Sequence, residues 1–144
     1  MNRTLEKPTV TRKNRDTLKV LIVDDDPFQL ELIADTLRSL GLRDIIEAAS
    51  GENALQAIAH SQSAGTFDLM LCDLHMPAMD GFQFLAAVTQ GGFAGALIIV
   101  SGQTKDVLHS AALVAKLRRF TVLGTIAKPV NAAALSQMIA TLVS

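Results

Sequence analysis

A run of three aspartates, Asp24-Asp25-Asp26, and three single polar residues, Asp73, Ser101 and Lys128, carry the chemistry of this sequence. Each follows a short apolar run: residues 20–23 before the triplet, 68–72 before Asp73, 96–100 before Ser101 and 122–127 before Lys128. Runs rich in β-branched residues suit buried parallel strands, so these side chains belong to four strand ends. Adjacent strands lie about 4.8 Å apart, which brings Asp24, Asp25 and Asp73 into one small volume. At about 4 Å and an effective dielectric of about 20, each like-charge pair costs roughly 4 kcal/mol. Such a cluster persists when a cation neutralises it, and magnesium, a hard ion with oxygen ligands, suits carboxylates and still accepts a phosphoryl oxygen. Lys128 adds a fixed positive charge and Ser101 a hydroxyl donor. Together these groups can support phosphoryl transfer to a carboxylate. Any one of them alone could be a polar strand terminus; their joint placement makes the site.

The elements that position them alternate along the chain. After the first strand, Asp26-Pro27 reads as an N-cap with proline at the first helical position, so Asp26 is assigned to capping rather than chemistry. The helix it opens carries Leu30, Ile33, Ala34, Leu37 and Leu40 at helical spacing and stops at Gly41. A second strand is expected over 45–48. Ser50 then caps a helix running to His60, with Ala54, Leu55 and Ile58 inward. The third strand spans 68–72, followed by a loop over 74–80 and a helix over 81–88. The fourth strand spans 96–100, a long helix 105–118, the fifth strand 122–127 and a last helix 132–142. Five strands alternating with five helices predict an α/β fold, a single doubly wound (βα)5 parallel sheet covered on both faces. Right-handed crossovers favour the flavodoxin-like strand order 2-1-3-4-5, whose ligand site lies at the carboxyl ends of the first and third strands.

Residues 1–17 read as a flexible tail, with Arg3, Lys7, Arg12, Lys13 and Arg15 against Glu6 and Asp16, and residues 18–144 as one domain. A length of 144 residues accommodates one core. The composition, 49% hydrophobic and 19% charged with net charge −1, predicts a soluble protein without a nucleic-acid or membrane-directing field. The single cysteine, Cys72, excludes an internal disulfide. No leader or membrane-length apolar window is seen, so a cytoplasmic location is expected.

The segments Val-Asp-Asp-Asp-Pro (23–27), Cys-Asp-Leu-His-Met-Pro-Ala-Met-Asp-Gly (72–81), Ile-Val-Ser-Gly (99–102) and Lys-Pro (128–129) closely resemble the response-regulator receiver domains of bacterial two-component systems. The resemblance covers about residues 18–143. It implies that Asp73 accepts a phosphoryl group from a histidine kinase, a phosphotransfer protein or a small phosphodonor. It further implies that Asp25 and Asp73 coordinate Mg2+ with the backbone carbonyl of His75, while Asp24 acts through water. Ser101 would bond the phosphoryl oxygen and Lys128 pair with it, and the Lys-Pro bond would be cis. Receivers act alone or as input domains of longer regulators. They often dimerise or bind partners through the face made by the fourth helix, fifth strand and fifth helix. Here the last helix has no charged residue between Val130 and Ser144, which fits such a face as well as it fits a plain surface.

The sequence also departs from the family pattern. Thr125 stands where receivers usually place an aromatic reporter of phosphorylation, and the chain has neither Tyr nor Trp. The interval from Ser101 to Lys128 is longer than in most receivers by more than a helical turn. That stretch and the ending Leu-Gly-Thr-Ile-Ala-Lys-Pro resemble receivers attached to cyclic-di-GMP phosphodiesterases. His75 and Gln103 occupy positions where the family tunes phosphate loss; for His75, placing water and simply facing solvent are both open. His60 and His109 read as surface residues, and Cys72 as packing.

Three rival readings are weaker. Asp24-x-Asp26 mimics the first motif of haloacid-dehalogenase-type phosphatases, but Pro27-Phe28 follows where a small-residue turn and threonine are needed. Their later acidic pair is missing too, since only Asp106 follows Ser101. An inactive pseudo-receiver would not need the full acid set, and dinucleotide binding lacks a glycine-rich loop after the first strand.

Overall fold

The structure, a computed structural model, describes residues 14–73, 76, 81–102 and 120–143. Five strands, β1 (Lys19–Val23), β2 (Asp44–Ala48), β3 (Leu69–Cys72), β4 (Ala96–Ser101) and β5 (Thr121–Ala127), form one sheet in the order β2-β1-β3-β4-β5. All four pairings are parallel, as the alternation of elements predicts. The helices are α1 (Pro27–Ser39), α2 (Gly51–Ala64), α3 (Gly81–Gln90) and a C-terminal helix (Ala132–Ala140). The expected helix over 105–118 lies outside the described residues.

Successive side chains of a strand point to opposite faces, so a sheet covered on both sides buries every residue of its central strands. All of β3 and β4 is buried accordingly. On one face Leu21, Val23, Met70, Cys72, Leu97 and Ile99 pack with Ala54 and Ile58 of α2 and Leu85 and Val88 of α3. On the other, Val20, Ile22, Leu69, Leu71, Ile98 and Val100 meet Leu30, Ile33, Ala34 and Leu37 of α1 and Leu135 and Ile139 of the C-terminal helix. The helix starts are set locally. Asp26 Oδ1 accepts from Phe28 N at 2.9 Å, Ser50 Oγ from Asn53 N at 3.0 Å and Asn131 Oδ1 from Ala134 N at 2.9 Å.

Several boundaries differ from the sequence expectation, each for a local reason. Helix α2 runs past His60 to Ala64, because the buried Ser61 hydroxyl donates to Ile58 O at 2.7 Å and needs no solvent. Asp68 precedes β3 rather than opening it; its carboxylate accepts from Lys19 N at 2.9 Å and ties the start of β1. The C-terminal helix stops at Ala140, where Thr141 N and Leu142 N turn back to Met138 O and Ile139 O at 3.2 and 2.9 Å. Strand β5 bulges: Val122 pairs with Leu97 but Gly124 with Ile98, leaving Leu123 as the extra residue. Within the expected tail, residues 15–17 form a 3-10 turn, and the buried Leu18 follows it.

Gly95, just before β4, lies close against the main chain that leads into β3. A Cβ there would lie 2.6 Å from Asp68 O and 2.7 Å from Phe67 O, both main-chain atoms. Backbone cannot rotate out of the way as a flexible side chain could. Gly95→Ala is therefore expected to destabilise the fold by about 2 kcal/mol, read as a lower urea midpoint with an unchanged slope. A midpoint equal to that of the wild type would show that the close approach is relieved at no cost.

Candidate functional site

The acids sit one residue beyond the paired ends of β1 and β3. Val23 pairs with Cys72, and the ladders continue one step further, with Asp73 N donating to Val23 O at 3.0 Å and Asp24 N to Ala48 O at 3.1 Å. Asp24 Oδ1 accepts from Asp26 N at 2.9 Å, which turns the chain into α1 and leaves Asp25 exposed on the rim. Carboxylate oxygens of Asp24, Asp25 and Asp73 lie within 4.8 Å of one another, the first and third buried. The convergence expected from the strand ends is thus present.

Lys128 enters from the end of β5. Its backbone N donates to Ser101 O at 2.6 Å, and the Lys128–Pro129 bond is cis. The ammonium lies 2.7 Å from Asp24 Oδ2 and 2.8 Å from Asp73 Oδ2, its side chain only 15% exposed. Burial pulls its pKa down, but the hydrogen-bonding and charge of Asp24 and Asp73 outweigh that, and the net shift is upward from the ordinary lysine value. The two acids therefore favour the charged form of Lys128. Sequence reasoning placed it opposite a future phosphoryl group but missed that it already bridges both buried acids. Nothing in the local sequence signals a contact between such distant residues.

Among the described residues one ammonium faces three carboxylates, an excess of negative charge. Asp24 Oδ2 is buried and, among the described residues, has no partner beyond the Lys128 ammonium. A buried carboxylate oxygen in that condition, beside a second buried acid and one open to solvent, suits a hard divalent cation. Ser101 is buried at the end of β4, opposite Ala127 on β5. Thr125 is half-buried and pairs with Ile99, so the expected reporter position carries a small hydroxyl side chain. His75, Gln103 and His109 lie outside the described residues. The Cys72 thiol is buried, and desolvation, with Asp73 and then Asp24 adding to it, holds its pKa well above the ordinary range. It remains a protonated packing group.

Residues 20–140 match the response regulator receiver domain family. The chain is 32% identical over 113 residues to the cyclic di-GMP phosphodiesterase RocR of Pseudomonas aeruginosa, covering 78% of this chain and 28% of that protein. It is 37% identical over 73 residues to a probable chemotaxis protein CheY of Rhizobium etli, covering 51% of this chain and 54% of that one. Its fold matches the CheX–CheY–BeF3–Mg2+ complex of Borrelia burgdorferi with a TM-score of 0.67 and 25% identity, over 86% of this chain and 87% of that one. The chain thus spans little over a quarter of the phosphodiesterase it matches and about half of the chemotaxis protein.

Proposed function

Because this chain belongs to the response regulator receiver domain family, whose members are phospho-accepting signalling switches, we propose that Asp73 is its phosphorylated residue. The observation that carries this reading is the placement of Asp73: a buried acid at the end of β3, within reach of two further acids and paired with Lys128. Of the three acids, Asp73 alone ends β3, while Asp24 and Asp25 lie together after β1, better disposed to hold a cation.

In this mechanism a carboxylate oxygen of Asp73 attacks the phosphorus of a phosphohistidine on a histidine kinase or phosphotransfer protein, or of a small phosphodonor. The P–N bond to the histidine breaks and its electron pair stays on the ring nitrogen. Asp24, Asp25, Asp73 and the backbone carbonyl of His75 would hold Mg2+. When bound, the ion offsets charge on the acids and the transferring phosphoryl oxygens. Lys128, already poised against Asp73, pairs with the new phosphoryl charge, and the Ser101 hydroxyl donates to a phosphoryl oxygen. The domain, residues 18–144 with the ordered turn before it, then alters its partner-binding face. It turns over no substrate beyond its own phosphoryl group. The likeness to RocR supports a role as the input domain of a longer cytoplasmic regulator, and the likeness to CheY a stand-alone role. A second copy would dock on the face made by β5, the C-terminal helix and the segment 105–118, expected from the sequence to be helical.

Two measurements test the reading. A small acyl phosphate with Mg2+ is expected to add one phosphoryl group, labile to hydroxylamine and mapping to the peptide with Asp73. Mg2+ alone should raise the melting temperature, since binding at a hundred times Kd adds about 2.7 kcal/mol. Asp25→Ala should melt at or above the wild type without Mg2+, because it relieves repulsion, and lose the rise with Mg2+. A full response in that variant would put the ion elsewhere.

A further inference from the structure

The match to the receiver family begins at residue 20, and residues 14–18, just before it, pack onto the domain. These residues fold onto themselves first: Asn14 N donates to Thr17 Oγ1 at 3.0 Å, and Thr17 N to Asn14 O at 3.1 Å. Leu18 then anchors them in the core shared by α1 and the C-terminal helix. From this turn Arg15 reaches two elements at once. Its Nη1 donates to Leu40 O, at the end of α1, at 3.0 Å. Its Nη2 donates to Ser136 Oγ at 3.0 Å and lies 3.4 Å from Ser136 O, on the C-terminal helix.

Each contact has a physical basis. The last carbonyls of a helix lack partners within it and carry a partial negative charge, so a guanidinium at Leu40 O both bonds and neutralises. The side chain runs over Gly41, where a Cβ would stand 3.7 Å from Arg15 Cβ and Cδ, and which at φ +97° is in the conformation that favours glycine. The C-terminal helix, which has no charged residue of its own, has an arginine bonded to its middle. Helix α1 and the C-terminal helix pack on the same face of the sheet, so one side chain ties them together where the chain crosses between them.

We propose that residues 14–18 form an N-terminal latch, with Arg15 as its bolt, that fastens the C-terminal helix to the end of α1. The helix so held begins three residues after Pro129, next to the segment that carries Lys128. Its hold sets how far that segment can move. The latch operates whether or not the aspartate is phosphorylated.

Hydrogen exchange followed by mass spectrometry on the full chain tests this, using Arg15→Met, Ser136→Ala, the double variant and Arg38→Met as a surface control. Arg15→Met is expected to speed exchange in residues 132–140 and in the last turn of α1 by about tenfold, the scale of a charged hydrogen bond, leaving β1 and β3 as in the wild type. Within the Ser136→Ala background, Arg15→Met should still loosen the end of α1 but change the C-terminal helix much less. That pattern requires the Arg15–Ser136 contact. Wild-type exchange in Arg15→Met, or equal effects on the C-terminal helix in both backgrounds, would overturn the latch, as would faster exchange spread evenly over the domain. Should Arg15→Met not fold, Arg15→Lys decides: it keeps the charge but lacks the fork that spans both acceptors, so the latch requires faster exchange in residues 132–140.

Discussion

Lys128→Met is expected to cost about 3 kcal/mol of stability in magnesium-free buffer, because it strips the counterion from two buried acids. Methionine keeps much of the alkyl stem, so lost packing contributes little. What disappears is the ammonium at 2.7 and 2.8 Å from Asp24 and Asp73. The variant should respond to Mg2+ more steeply than the wild type, since a divalent ion then takes over the charge compensation that the ammonium gave those acids. The pH dependence has a definite sign. A lysine whose folded pKa is raised contributes stability that is fully present below its ordinary value of about 10.4 and is lost as pH climbs through the higher folded value. Wild type should therefore weaken in that alkaline window, and Lys128→Met should lack that part of the loss. Urea titrations with and without Mg2+, repeated up to the alkaline limit, read all three effects. On phosphorylation the variant should still accept the group but show no change in amide exchange at the ends of β4 and β5. An unaltered urea midpoint without Mg2+ would mean that the bridging ammonium contributes nothing.

Asp73→Asn is expected to abolish phosphoryl labelling while leaving the fold intact. The amide matches the carboxylate in size but has no nucleophilic oxygen of comparable strength, so intact mass should stay unchanged after treatment with a phosphodonor and Mg2+. Its effect on stability combines two opposed changes. Repulsion with Asp24 and Asp25 falls, and one of the two partners of Lys128 loses its charge. Lys128 keeps Asp24, and the cluster carries less excess negative charge without a metal. The variant should thus be as stable as the wild type or more stable by about 1 kcal/mol, which a denaturant titration resolves. Persistent labelling of Asp73→Asn would move the acceptor elsewhere. Steady release of phosphate from an ester substrate by the wild type would instead indicate a phosphatase.

Most of the fold was legible along the chain because each β-strand is a local event. Val20–Val23 and Ala96–Val100 are apolar without interruption, which marks strands buried on both faces, and each run ends at a polar residue. Alternation with helices of the 3.6-residue period then left the observed order β2-β1-β3-β4-β5 as the favoured topology. Caps at Asp26 and Ser50 were equally readable, since they act within three residues. The expected helix from Ser50 ended at His60, whereas α2 continues to Ala64, with the buried Ser61 hydroxyl bonded one turn back.

The chain by itself determined which residues gather at the carboxyl ends of the strands, because strand ends and parallel order together specify that place. Only the tertiary structure decided how they interact: that Lys128 joins Asp24 to Asp73, and that Arg15 joins Leu40 to Ser136. Periodicity reports the burial of a residue within its own element, whereas an ion pair depends on the few ångströms between atoms of different elements. Register, bulge and crossover set those ångströms, and they are properties of the packed sheet rather than of any segment within it.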